Sequence, residues 1–512
     1  MQGSDVGASS FSPAPGPRAN LASVALPLLL ACALGGVAIL RLPVIDDEAF
    51  AIQLSLRGVE PVLRQGLGQG GHFHPPLNDL LQSLWLSCVT PRPLWLARLP
   101  ALAWWLATCA LLPWAFEPLL ERVQRRWAVW ATVLYPVHWV LPFVATWYSL
   151  GAFSGVLASG AFLRALQAPM GSRSLHGWSC LWALSVITLG YTVFAWPALL
   201  FGQLWLALRV LQRSEWGTRA RSVAPWLLAI VLGLAPTAWV ILDRMSYAIE
   251  GQAGGGGLVP LGAILALLAG STVQANPWLL LAAVGATIAG GVACLRRAGP
   301  SAKALFGVGV GVFLTLLLTR TLSDKRLLLG SVFCTVALGA AGHSASRRAR
   351  MALMLGWAPS ALGFLWPTAM PMLFPRWSDP HTELVASHCS APEPRLLFVD
   401  HPALWLTAKA GCGSVALGAE EDPQIIDTSE SAEVIARVQE VRQRAPEKPL
   451  VIDLVAFLDS PDGWLASALL DLHALGFRVV SDRSLGMDAL HSLRDARARA
   501  EPRFHWVRLR AP

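Results

Sequence analysis

Asp46, Asp47 and Glu48 stand side by side in the stretch IDDEAF, with only five residues between them and an uncharged run from Leu21 to Leu40. Adjacent carboxylates repel one another, which raises at least one pKa and suits a general base, unless a metal or a cationic substrate keeps all three ionised. A plain marker of the water interface would not need three acids. A second group follows in GGHFHPPLNDLL, where His72 and His74 could belong to a loop or ligate a metal together with Asp46, and Pro75 and Pro76 stiffen the chain. Any cofactor is otherwise unknown, a divalent cation being the one candidate.

The elements that must position these residues are membrane helices. The chain has 512 residues, is 54% hydrophobic and 14% charged, and contains 23 tryptophans, more apolar residues than one soluble core of this size needs. Uncharged segments long enough to cross a bilayer predict eleven spans, near 21–40, 97–116, 127–145, 148–165, 177–192, 194–210, 223–242, 278–295, 304–319, 327–343 and 352–374. The piece 258–270, short and preceded by GQAGGGG, is expected to be re-entrant or interfacial. With the N-terminus in the cytoplasm, most Arg and Lys of the short loops fall inside, and Arg244, Arg320, Lys325 and Arg326 outside. That arrangement puts the loop 41–96 and the C-terminal residues outside. The net charge of +8 sits at span ends rather than in a basic stripe, so lipid head groups are the expected partner and nucleic acid is excluded.

The predicted fold class is therefore an all-α polytopic membrane protein with a small C-terminal extracytoplasmic α/β domain. Three parts are expected: a disordered cytoplasmic arm over 1–20, a transmembrane domain over 21–374, and a periplasmic α/β domain over 375–512. In the last, RLLFVD, PLVIDLVAFL and RVVSD read as strands, and SAEVIARVQEVRQRA and GWLASALLDLHALGF as helices. GCGSVALG reads as a turn and not a phosphate loop. Cys32, Cys109, Cys180, Cys294 and Cys334 fall in spans as small apolar residues, while Cys389 and Cys412 could pair outside the cytoplasm. LNDLLQSLWLSC has the periodicity of a helix lying on the membrane surface, and ARLPALAWWL opens the second span with Arg98 at the interface. Four lysines among forty cations suit a GC-rich bacterial genome, hence a bacterial inner membrane.

An acidic DEA after the first span, HPPL before an interfacial helix and RLP opening the second span, in that order, resemble the polyprenyl-phosphate-dependent sugar transferases of the GT-C superfamily. The likeness is to the branch of protein O-mannosyltransferases and lipid A aminoarabinose transferases, strongest over 41–105 and weaker to about 345. It implies an inverting transfer of sugar from a polyprenyl phosphate or diphosphate donor to a hydroxyl of a lipid, glycan or protein acceptor outside the cytoplasm. It also implies that Asp47 is the base, Glu48 supports it or binds the acceptor or a cation, and His74, Pro75, Pro76 and Tyr148 belong to the acceptor side. Asp46 is an extra acid. Arg326, with Lys325 and Arg320, corresponds to the late outer loop that holds the lipid phosphate, although Leu327 stands in place of the family's tyrosine. Thr146 and Val193 replace the arginine and histidine expected at two further positions. Two other classes compete: a non-catalytic GT-C-like protein that binds lipid-linked sugar or polysaccharide, and a transporter, which the lack of mid-span acids and repeats disfavours.

Overall fold

The computed structural model describes residues 17–41, 46–66, 76–89, 94–139, 142, 146, 148–169, 172–190, 199–200, 203, 277–318, 328–369, 395–399, 425–428, 430–444, 449–457, 463–485 and 504–511. The helical part begins with α1 (Pro17–Arg41), which starts ahead of the apolar run, and continues through three short helices, α2 (Asp46–Leu56), α3 (Val59–Gly66) and α4 (Leu77–Cys88). Then come α5 (Leu94–Ala115), α6 (Arg122–Leu134) with a 3-10 turn at Pro136–Trp139, α7 (Tyr148–Gln167) and α8 (Arg173–Gly190). After the undescribed stretch follow α9 (Pro277–Arg296), α10 (Pro300–Leu318), α11 (Leu328–Ser344) and α12 (Arg347–Ala369). Helices thus occupy the expected spans on both sides of that stretch, while the expected spans at 194–210 and 223–242 and the piece at 258–270 lie largely or wholly outside the described residues. The third expected span is broken, because Tyr135 leaves the helix with an extended backbone and a tighter turn follows.

Of these, α5 and α7 are long and apolar enough to cross a bilayer, and shorter apolar stretches occupy Val24–Leu40, Leu281–Arg296, Pro300–Leu314 and Leu328–Ser344. Their outer faces are greasy: Leu26, Leu29, Leu184, Trp278 and Leu355 are all more than half exposed, as expected for side chains that meet lipid rather than water. Inside the bundle small residues let backbones touch. A methyl group on Gly339 would stand 2.5 Å from the Trp127 carbonyl oxygen of α6, and one on Gly290 of α9 2.5 Å from the Leu353 backbone nitrogen of α12. Polar side chains then lock the contact between α6 and α11. The His138 Nδ1–H donates to the Thr132 carbonyl at 2.7 Å, Nε2 faces the Ser331 hydroxyl at 2.7 Å, and Thr132 meets Thr335 at 3.1 Å.

The helix directions follow from ring contacts. Trp104, midway along α5, meets Phe153 in the first half of α7, and ten residues on Trp114 meets the Arg164 guanidinium, 4.0 Å from its ring, near the end of both helices. The two helices therefore run parallel, and Tyr148 lies at the same end of the bundle as Arg98.

Residues 395–510 contain a five-stranded mixed sheet, with β1 (Arg395–Val399), β2 (Ile425–Asp427), β3 (Val451–Phe457), β4 (Arg478–Leu485) and β5 (Phe504–Arg510) in the order β2-β1-β3-β5-β4. β1 runs parallel to β2 and β3, and β5 antiparallel to β3 and β4. Two helices, α13 (Ser431–Arg444) and α14 (Trp464–Ala474), bury Val434, Val438 and Leu472 against Phe398, Ile452 and Leu509, a core of its own. The turn expected at GCGSVALG and the pair Cys389 and Cys412 lie outside the described residues; the six described cysteines are unpaired.

Candidate active site

The three acids open α2. Asp46, Asp47 and Glu48 form its first turn, where unpaired backbone N–H groups and the positive end of the helix dipole favour negative charge. This answers part of the question of why three acids are tolerated together: they begin a helix.

The larger part of the answer is Arg98. Its Nε and Nη2 donate to the two carboxylate oxygens of Glu48, each at 2.6 Å, and its Nη1 donates to the Ile39 carbonyl at 3.3 Å. Glu48 is 0% exposed and Arg98 1%. The Ile39 oxygen is one of the four carbonyls that the end of α1 leaves without a helical partner. One guanidinium thus fastens the last turn of α1, the first turn of α2 and the first turns of α5. The planar fork of arginine suits this task, since a lysine could not reach both oxygens and the carbonyl in one plane. Expected at the interface, Arg98 is instead sealed inside this junction, because the outer helices α2 and α4 cover it. One of the three negative charges is neutralised on the spot.

The helix α4 completes the cover, and its docking explains the proline of the RLP motif. Pro100 has no N–H, so the Leu96 carbonyl loses its helical donor. The Trp85 indole N–H takes that place at 2.8 Å, and Gln82 donates to the next carbonyl, Ala97, at 2.7 Å. Ser55 of α2 donates to the Asp79 carbonyl at 3.2 Å, and Ile52, Leu86 and Ala97 bury together beneath these bonds. Leu81 and Leu84 remain exposed on the outside of α4, as a helix at a membrane surface requires. Pro76 sits at the N-terminal cap of α4.

Two features escaped the sequence reading. Asp79 is 3% exposed, and among the described residues no cation pairs with it; burial pushes its carboxyl up to about 7, partly countered by the Asn78 amide that donates to it at 3.3 Å. The only signal in the sequence was a single charged residue in a helix that carries no other. Near the start of α7, Thr146 and Ser149 bury hydroxyls that find no hydrogen-bond partner among the described residues, on either side of the buried Tyr148. An unpaired buried hydroxyl costs about 1–3 kcal/mol, so this corner at the Arg98 end of the bundle is suited to a polar group brought in by a ligand.

For Asp46 and Asp47 the structure fixes the helical position. His72, His74, Pro75, Val193, Arg320, Lys325 and Arg326 lie outside the described residues. Among the described residues no group of three His, Cys, Asp or Glu side chains could hold a metal ion.

A buried acid–arginine junction thus caps a bundle of apolar helices packed through small residues, and a mixed sheet follows in the chain. ArnT from Cupriavidus metallidurans, solved bound to undecaprenyl phosphate, superposes with a TM-score of 0.51 at 13% identity, covering 96% of this chain and 98% of its own. That near end-to-end match shows the fold expected from the resemblance. The oligosaccharyltransferase of Archaeoglobus fulgidus, solved with zinc and sulfate, aligns over 83% of this chain and 68% of its own, at 13% identity and a TM-score of 0.40. The same archaeon's AglB, in complex with an inhibitory peptide and a dolichol-phosphate, aligns over 85% and 69% at 12% identity and 0.39. No protein-family model and no curated protein matches the chain.

Proposed function

We propose that this chain is a membrane glycosyltransferase that moves a sugar from a polyprenyl phosphate or diphosphate carrier to an acceptor hydroxyl, with inversion. The observation that carries the reading is the Arg98 fork, which ties the DEA segment to the RLP segment and so holds Asp47 at the start of a pinned helix. In this reading Asp47 takes the proton of the acceptor hydroxyl as its oxygen attacks the anomeric carbon. The bond from that carbon to the phosphate oxygen breaks, and the carrier phosphate leaves with the negative charge. Glu48 acts as a positioning residue through Arg98. Arg320, Lys325 and Arg326 bind the leaving phosphate, and Asp46, His74, Pro75, Pro76 and Tyr148 border the acceptor. Holding the two substrates in line supplies much of the rate, and the base adds about 10²- to 10⁴-fold.

The remaining parts of the reading are eleven spans, a cytoplasmic N-terminus, and the sheet of residues 395–510 as an extracytoplasmic domain in a bacterial inner membrane. Their support is the positive-inside count together with the grouping of Arg122, Arg126 and Arg350 at one end of the bundle. The test is a transfer assay with purified protein, labelled polyprenyl-phosphate sugars and an envelope extract as acceptor. Wild type should move label, and Asp47→Asn should lose about 10²-fold or more while still folding and binding lipid. Undiminished transfer by Asp47→Asn sinks the base assignment.

One observation favours a second reading. Thr146, standing where the resemblance expects an arginine, is 2% exposed and puts no cation at that corner. A scaffold that binds lipid-linked sugar without transferring it needs the late cations but not the base. Then Arg326→Ala would release bound lipid, Asp47→Asn would change nothing, and no donor would yield product.

A further inference from the structure

At the other end of the bundle from Arg98, α6, α9, α11 and α12 enclose a cavity of about 800 Å³, within the range of small-molecule sites. Its position is set by α5: Arg98 lies in the first turns of that helix, α6 begins shortly after its last residue, and its 22 residues span about 33 Å. The cavity mouth is thus about one hydrocarbon thickness away from the candidate active site. It is a separate place.

Its walls are apolar, with Trp127, Trp130, Leu353 and Trp357 among them, and its rim carries Arg122, Arg126 and Arg350. No carboxylate lines it among the described residues. The Arg350 guanidinium stands 5.6 Å from the centre of the Trp127 ring, which holds it at the rim. Deeper in, the Trp357 indole N–H is buried with no hydrogen-bond partner among the described residues. On α12, Met354 lines the cavity and is 39% exposed, and its neighbour Leu355 is 61% exposed, so the wall runs on into the lipid-facing surface.

Cations that only obeyed the charge asymmetry of membrane proteins would need no cavity beneath them. Three guanidiniums at the lip of a greasy, lipid-facing cleft between helices match a molecule with an anionic head and an apolar tail. We propose that this cleft binds an anionic glycerophospholipid of the leaflet on that side, its phosphate at Arg126 and Arg350 and an acyl chain along the tryptophans. The proposal does not depend on the transfer reaction, and its test has no catalytic readout.

The test is native mass spectrometry of the full chain released from detergent, titrated with phosphatidylglycerol, phosphatidylcholine or inorganic phosphate. Wild type should retain phosphatidylglycerol in preference to phosphatidylcholine, and equimolar inorganic phosphate should not displace it. Arg126→Gln with Arg350→Gln should weaken retention, about fivefold for each arginine. A second variant separates shape from charge. Gly342 lines the cavity, and a methyl group there would meet nothing within 4 Å, so Gly342→Phe should fill the space, keep every charge and still lower binding. Thermal midpoints in phosphatidylcholine check that each variant folds. Equal retention of both phospholipids by wild type overturns the proposal, as does undiminished phosphatidylglycerol binding in both variants. Displacement by equimolar undecaprenyl phosphate also overturns it, by assigning the cleft to the carrier lipid.

Discussion

Glu48 and Asp453 are both fully buried acids that meet an arginine some fifty residues further along the chain, Arg98 and Arg508, yet they are held for different reasons. Asp453 on β3 sits directly opposite Arg508 on β5, so the backbone ladder brings the two together whether or not they attract. It accepts from Arg508 Nε at 2.7 Å and from the Trp506 indole at 2.9 Å, and Arg508 keeps 20% of its side chain in contact with solvent. Glu48 and Arg98 have no ladder between them. They join three helix ends between which no backbone hydrogen bond runs among the described residues, and Arg98 keeps only 1% exposure. In the sheet the ion pair decorates a contact already made; in the helical junction it is the one described link that ties the ends of α1, α2 and α5 together at a single side chain.

That difference should appear first in the cost of breaking each pair. Arg98→Leu leaves a carboxylate buried with no cation, and such losses run to about 3–5 kcal/mol. The double variant Glu48→Leu with Arg98→Leu removes both charges and should recover much of that loss, because desolvation disappears together with attraction. Thermal unfolding of the detergent-solubilised protein reads both. If the single variant melts with the wild type, the junction is held by packing, and the contrast with the sheet collapses.

Why was one region more legible than the other? The apolar helices that the structure describes could be read because uncharged length is a local property, and β1, β3 and β4 because their apolar runs are. β2 has only three residues, Ile425–Asp427, too few to show a period. β5, FHWVRLR, did carry a signal, Val507 and Leu509 alternating with Arg508 and Arg510, but short charged strands are easily passed over in a basic C-terminus. The DEA and RLP segments could be recognised one at a time. Nothing local said that Glu48 and Arg98 touch, since that contact depends on how α1 turns back into α2, and a buried arginine leaves the same letters as one at the interface. The role of Pro100 was hidden likewise, because a freed carbonyl can be noticed only with its new donor, Trp85, in view.

Asp79 sharpens the comparison, being a third buried acid but one that meets no guanidinium among the described residues. Its carboxyl is raised from 3.8 to about 7 by burial, so the folded state holds a proton that the unfolded chain has released. Stability from this group is therefore greatest at acid pH and declines as pH rises towards 7, by about 3 kcal/mol between pH 5 and pH 8. Thermal midpoints across that window should fall in wild type, and the fall should be reduced in Asp79→Asn, which cannot ionise. An equal pH dependence in the variant would place the titration elsewhere and leave Asp79 without the cost assigned to it.

The smallest effect belongs to the pair in the sheet. Asp453→Asn keeps one oxygen to accept from the Trp506 indole and Arg508 Nε, and loses the second oxygen, which meets Arg508 Nη2 at 3.2 Å. Arg508 would not be stranded, since it already touches solvent and lies 4.9 Å from the centre of the Trp506 ring. The expected loss is about 2 kcal/mol, confined to residues 395–510, so limited proteolysis should cut there sooner while the unfolding of the helical part stays unchanged. Should Asp453→Asn cost as much as Arg98→Leu, the ladder between β3 and β5 would depend on the ion pair after all, and the two buried acids would be doing the same job in different settings.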